Sequence, residues 1–146
     1  MLEVLLYLKL YFDEKVFSIA YNEEISVDKR LERLSRKSEE QFLEGPGGCF
    51  IGMIGTETVI SNPKFNSIIK EFFADWKRAF VHLYSQTGGS KIASELADQA
   101  IMLIEGAVLM VRIHNNPDYL TRVQRKLIQE FIEIKNDRTH ITTRNK

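Results

Sequence analysis

Residues 91 to 115 read KIASELADQAIMLIEGAVLMVRIHN. Their apolar side chains recur at spacings of three and four, from Ile92, Ala93, Leu96 and Ala97 to Ile104, Ala107, Val108 and Val111, which is the period of an α-helix and not of a strand. On a helical wheel they cover more than half the circumference. The remaining strip, Ser94, Asp98, Ile101, Glu105, Leu109 and Arg112, sets polar and apolar groups on one line. Such a helix has covering on two sides. Periodicity leaves open whether it is a central helix of a monomer or also a face for a second copy of the chain. Ala97, Ala100, Gly106 and Ala107 are small enough to let a neighbouring helix come close.

Outward from this helix the same period continues. Asn116-Pro117 is a helix-start signal, because Asn accepts from unpaired amides and Pro has φ preset for the first turn. A last helix follows with the stripe Leu120, Val123, Leu127, Phe131 and Ile134, and residues 138 to 146 read as a frayed polar tail. On the N-terminal side, Asn62-Pro63 opens a helix to about Thr87 with a wide aromatic face that includes Phe72, Phe73, Trp76 and Phe80, and Gly88-Gly89 stops it. Cys49 to Ser61 is short, apolar and glycine-containing, a buried helix with a strand as the other possibility. Gly45-Pro46-Gly47-Gly48 is a turn. Ser26 caps a helix with the stripe Val27, Leu31, Leu34, Ser38 and Phe42, and residues 2 to 21 form a first, largely buried helix. The expected architecture is all-α: one bundle of about six helices over residues 1–137, followed by the tail.

Composition narrows the function. Twenty Lys and Arg balance twenty Asp and Glu, so the general attraction that drives binding to nucleic acid or acidic lipid is missing. The longest uncharged runs, Gly45 to Thr56 and Ala79 to Ser90, are too short for a membrane span. A single cysteine, Cys49, rules out an internal disulfide and fits a reducing compartment such as the cytoplasm. There is no GxxxxGK, GxGxxG or HExxH motif, and no Glu-x-x-His of the di-iron bundles. No metal, no cofactor and no enzymatic activity are expected. Glu57, between Thr56 and Thr58 in an apolar segment, either points inward as the polar group of a small-molecule site or lies at the surface.

If the second covering of residues 91 to 115 is another copy, an isologous two-fold pair is the expected form. The helix then contributes Ile101, Glu105, Val108, Leu109 and Arg112 to the interface, and the last helix Val123, Leu127 and Phe131. Glu105 and Arg112, two turns apart on one line, would meet across the two-fold.

The order of these elements carries a likeness. Gly48-Cys49-Phe50-Ile51-Gly52, then Glu57, Asn62-Pro63 and Phe72-Phe73-Ala74-Asp75-Trp76-Lys77, followed by Leu96-Ala97-Asp98-Gln99-Ala100, Glu105-Gly106-Ala107 and Asn116-Pro117, resembles the C-terminal regulatory domain of TetR-family transcriptional regulators. The resemblance covers the chain to about Ile134. It implies an effector-binding domain of a regulator, expected to be a repressor, whose last two helices pair with a second copy and whose earlier helices enclose a small apolar or amphipathic effector. The positions matching that cavity are Tyr11, Met53, Glu57, Trp76, Phe80 and Met102. The family places a helix-turn-helix domain before this region. Residues 1 to 146 begin at what looks like the helix after it, so operator DNA is expected to be contacted only through a domain not in this chain. The other reading is a helical interaction protein that takes no ligand and acts through mixed dimers.

Overall fold

A computed structural model describes residues 1–44, 49–58, 62–87 and 90–144, with side chains for all of these except 90 and 139–144. The glycine turns expected at 45–48 and 88–89, and the cap expected at Ser90, lie outside the described backbone or side chains. Among the described residues six α-helices form the bundle: α1 (Leu2–Lys15), α2 (Val27–Leu43), α3 (Phe50–Thr58), α4 (Pro63–Ser85), α5 (Ser90–His114) and α6 (Asp118–Arg144), with a 3₁₀ turn at Phe17–Tyr21. Among the described residues there is no strand, so the segment at Phe50–Thr58 is helical.

Two boundaries differ from expectation. The first helix ends at Lys15: Val16 caps it, its amide still donating to the Phe12 carbonyl, and the chain then tightens into the 3₁₀ turn. The last helix continues to Arg144 through the segment read as a tail. Nothing after Pro117 breaks it, since Gly and Pro are absent from there on. The start signals act as expected. The Asn62 side chain accepts from the amides of Lys64 and Phe65 at 3.1 and 3.4 Å, and Asn116 accepts from the Asp118 amide at 2.9 Å. Asn115 ends α5 in the left-handed region at φ 49°, a conformation Asn tolerates better than most residues. Ser26 stands at the cap of α2 without a side-chain bond.

The centre of the bundle is aromatic. Trp76 of α4 packs against Phe17, Phe42, Phe72, Phe73 and Phe80, with ring centroids 5.7 to 6.4 Å apart. α5 lays Ala93, Ala97, Ala100, Ile104, Ala107 and Val111 against this core, and its alanines allow the close approach to α4. Polar ties fix the outer helices. Thr121 donates to Glu39 at 2.7 Å and Lys135 pairs with Asp28, holding α6 to α2. Lys77 pairs with Asp98 at 2.7 Å, between α4 and α5.

Candidate functional site

α3 is nine residues long and lies across α4 and α5. Gly55 brings its backbone into contact with the Ile69 side chain of α4. Toward α5 it leaves a groove of about 320 Å³. Cys49 and the α3 residues Gly52, Met53 and Thr56 form one wall. Glu105, Gly106, Val108, Leu109 and Arg112 of α5 form the other. A mostly apolar concavity with a few convergent polar groups is the usual form of a small-molecule site. A second concavity of about 340 Å³ is lined by Lys9, Asp13, Asp75 and Arg78, but these groups neutralise one another in salt bridges.

Glu105 is the chemical centre of the groove. A Cβ added at Gly52 would stand 2.7 Å from its Oε2, so only glycine lets the carboxylate occupy this place. Its Oε1 is enclosed and has no hydrogen-bond partner among the described residues. Burial raises the Glu105 pKa from the usual carboxylate range to about 7, opposed in part by a hydrogen bond with the Cys49 thiol. The same burial, reinforced by the neighbouring carboxylate, pushes the Cys49 thiol well up, while its sulfur accepts from the Gly52 amide at 3.3 Å. Cys49 therefore stays a protonated thiol, unsuited to nucleophilic attack. Arg112 does not reach Glu105. Its guanidinium lies against the Met53 sulfur at the exposed end of the groove.

The residues expected to line an effector cavity do not converge. Trp76 and Phe80 are each 1% exposed and belong to the filled aromatic core. Tyr11 is half-buried beside Tyr7 and Phe12 on α1. Glu57 faces solvent, and Met102 is 65% exposed. Only Met53 borders the groove.

The expected interface residues divide in a similar way. Val108, Leu127 and Phe131 are at most 4% exposed and are covered by the chain's own core, which leaves little of them for a partner. Ile101 and Val123 pack at the core's edge. Glu105, Leu109 and Arg112 border the groove. Met102, Leu109 and Ile113, of which Leu109 is one of the expected interface residues, are each more than half exposed on α5, with Gly106 among them at spacings of four, three and four.

The sequence reading gave Glu105, Val108, Leu109 and Arg112 to an interface and missed Cys49, Gly52, Thr56 and Gly106 as groove residues. Periodicity offered no signal for them, because the feature that defines the groove, Gly52 opposite the Glu105 carboxylate, joins two helices far apart in the chain. Among the described residues no three His, Cys, Asp or Glu side chains gather as a metal site, and no helix is long and apolar enough to cross a membrane.

Residues 27–126, more than half of the chain, match the family model described as the C-terminal domain of LmrA/YxaF-like transcriptional regulators. No curated protein and no solved structure matches the chain.

Proposed function

The chain belongs to the LmrA/YxaF-like C-terminal domains of TetR-type transcriptional regulators, and from that premise we propose that it is the ligand-sensing and dimerising part of a repressor. The observation that carries the reading is the α3–α5 groove, where apolar walls surround a carboxylate with an unsatisfied, enclosed oxygen. A buried polar atom without a partner costs free energy that an incoming donor recovers. The effector is a small amphipathic molecule. Its binding favours one placement of α3 against α5, a shift of population between two arrangements of the bundle.

Dimerisation uses the outward face of α5 and the adjoining edge of α6. Met102, Leu109 and Ile113 form an exposed apolar line on a helix whose other side is already in the core, and a two-fold copy is the simplest cover for it. Leu109 belongs to both this face and the groove, so ligand and partner act on the same helix. In the full regulator this coupling would change the spacing of the two helix-turn-helix domains, which lie outside these residues, and with it the hold on operator DNA. The setting is cytoplasmic, with no cofactor and no catalysis.

One observation favours a different reading, an interaction module without ligand: the aromatic core around Trp76 and Phe80 is full where a central cavity was expected. Two measurements decide between them. Sedimentation equilibrium should give about twice the chain mass of 16.9 kDa, and a thermal-shift screen with hydrophobic compounds should find stabilising ligands. A dimer that no member of a broad panel stabilises would favour the ligand-free module.

A further inference from the structure

Resting on the effector reading above, we propose that the α3–α5 groove selects amphipathic cations, with a protonated amine seated on Glu105 and a hydrocarbon chain lying along Met53, Val108 and Leu109. The groups that face Glu105 decide this. From the α3 side the titratable group is Cys49, which is neutral and already shares a hydrogen bond with the carboxylate. On α4, Lys77 is held by Asp98, two turns before Glu105 along α5. On α5 itself the nearby cation is Arg112, seven residues on, or about 10 Å at the helical rise, with its guanidinium against Met53. Among the described residues Glu105 therefore has an enclosed oxygen without a hydrogen-bond partner and no counter-charge paired with it.

With the carboxylate, the far end of a flexible side chain, turned toward the groove, an ammonium supplies both the missing donor and the missing charge. Charge-assisted hydrogen bonds of this kind are roughly twice as strong as neutral ones, and more so away from water. Arg112 lies at the exposed end, where solvent screens it. It disfavours a second positive group there and so directs the neutral tail of the ligand toward that end. An anion placed on Arg112 would gain only a screened, exposed contact and would leave Glu105 Oε1 unsatisfied.

Proton linkage follows. Below about pH 7 Glu105 carries a proton in the free protein, and seating an ammonium releases it. Above pH 7 the carboxylate is already ionised and no proton leaves.

The test is isothermal titration calorimetry of the 146-residue chain with octylammonium, octanol and octanoate, three ligands of one chain length and different heads. The expected result is that octylammonium binds tightest and gains roughly tenfold between pH 6 and pH 8, as a single group titrating near 7 dictates. At pH 6, buffers of different ionisation enthalpy should show close to one proton released. Glu105→Gln, a near-isosteric change, should bring octylammonium down to the affinity of octanol and remove the pH dependence. Octanoate binding as well as octylammonium, or an unchanged amine affinity in Glu105→Gln, overturns the cation preference. If all three bind both proteins equally, the groove remains an effector site and only this inference falls. If none binds a chain shown folded by circular dichroism, the effector reading falls with it.

Discussion

The Glu105 carboxylate occupies the space where the side chain of residue 52 would begin, 2.7 Å from the Cβ that Gly52 lacks. Two helices thus meet through an absence on one and a charge on the other. Gly52→Ala sets two effects against each other. Alanine is worth up to about 1 kcal/mol over glycine in a helix, while the new methyl displaces the far end of a flexible side chain. Net stability at pH 5 should therefore change by less than about 1 kcal/mol, and Glu105 should swing outward and lose its raised pKa. Urea unfolding at pH 5 and pH 8 checks this. A loss well above 2 kcal/mol at both pH values would mean that the carboxylate has nowhere to go.

The pH dependence of the unmodified chain follows from the same residue. An unfolded glutamate loses its proton near 4.5, whereas the folded one holds it to about 7. Between these values the unfolded state binds fewer protons, so stability is full below 4.5, falls as pH rises to 7, and is level above it. The fall should be on the order of 3 kcal/mol, the free energy of a shift of this size. Glu105→Gln should be more stable than the parent at pH 8 and should show no such slope. A parent whose urea midpoint is flat from pH 5 to pH 8 would show that the carboxylate is solvated.

Self-association should depend on the outward face of α5. Met102→Arg combined with Ile113→Arg places two charges on side chains that are more than half exposed, so the fold should survive with little change in stability. Sedimentation equilibrium should show the mass falling from about twice 16.9 kDa to 16.9 kDa. A double variant that remains dimeric would move the interface elsewhere.

A buried cation joins three parts of the bundle. Arg30 is 5% exposed; its guanidinium donates to the Ala20 carbonyl at 3.0 Å and to the Gln86 side chain at 2.9 Å. Lysine lacks the fork that makes both bonds. Arg30→Lys should cost about 1.5 to 3 kcal/mol, the value of a hydrogen bond to a charged group. Thermal unfolding provides the readout, and an unchanged midpoint would mean that water replaces the lost donor.

The helical period and the Asn-Pro starts made nearly all of the fold legible, because the unpaired amides of α4 and its α6 counterpart find their acceptors locally, in Asn62 and Asn116. The end of α1 at Lys15 was not legible, since the 3₁₀ turn after it serves packing of Phe17 on Phe72 and Trp76. The site was far less visible. Burial of Trp76 and Phe80 looks the same in a periodic pattern whether a cavity or another ring lies beside them. Glu105 was conspicuous on its strip, but its neighbour Gly52 lies 53 positions earlier in the chain, a distance over which periodicity carries no information. The mixed polar and apolar line on α5 runs in part, at Glu105, Leu109 and Arg112, along the groove that α3 of the same chain borders.

The most direct test of the effector site uses the methionine methyls as fixed reporters on two sides of α5. Met53 lies in the groove and Met102 on the outward face. In a methyl-labelled sample titrated with octylammonium at constant protein concentration, the groove account predicts a saturating shift of the Met53 methyl resonance larger than any shift at Met102. Saturating shifts at Met102 with Met53 unmoved would put the ligand on the outer face and contradict the account.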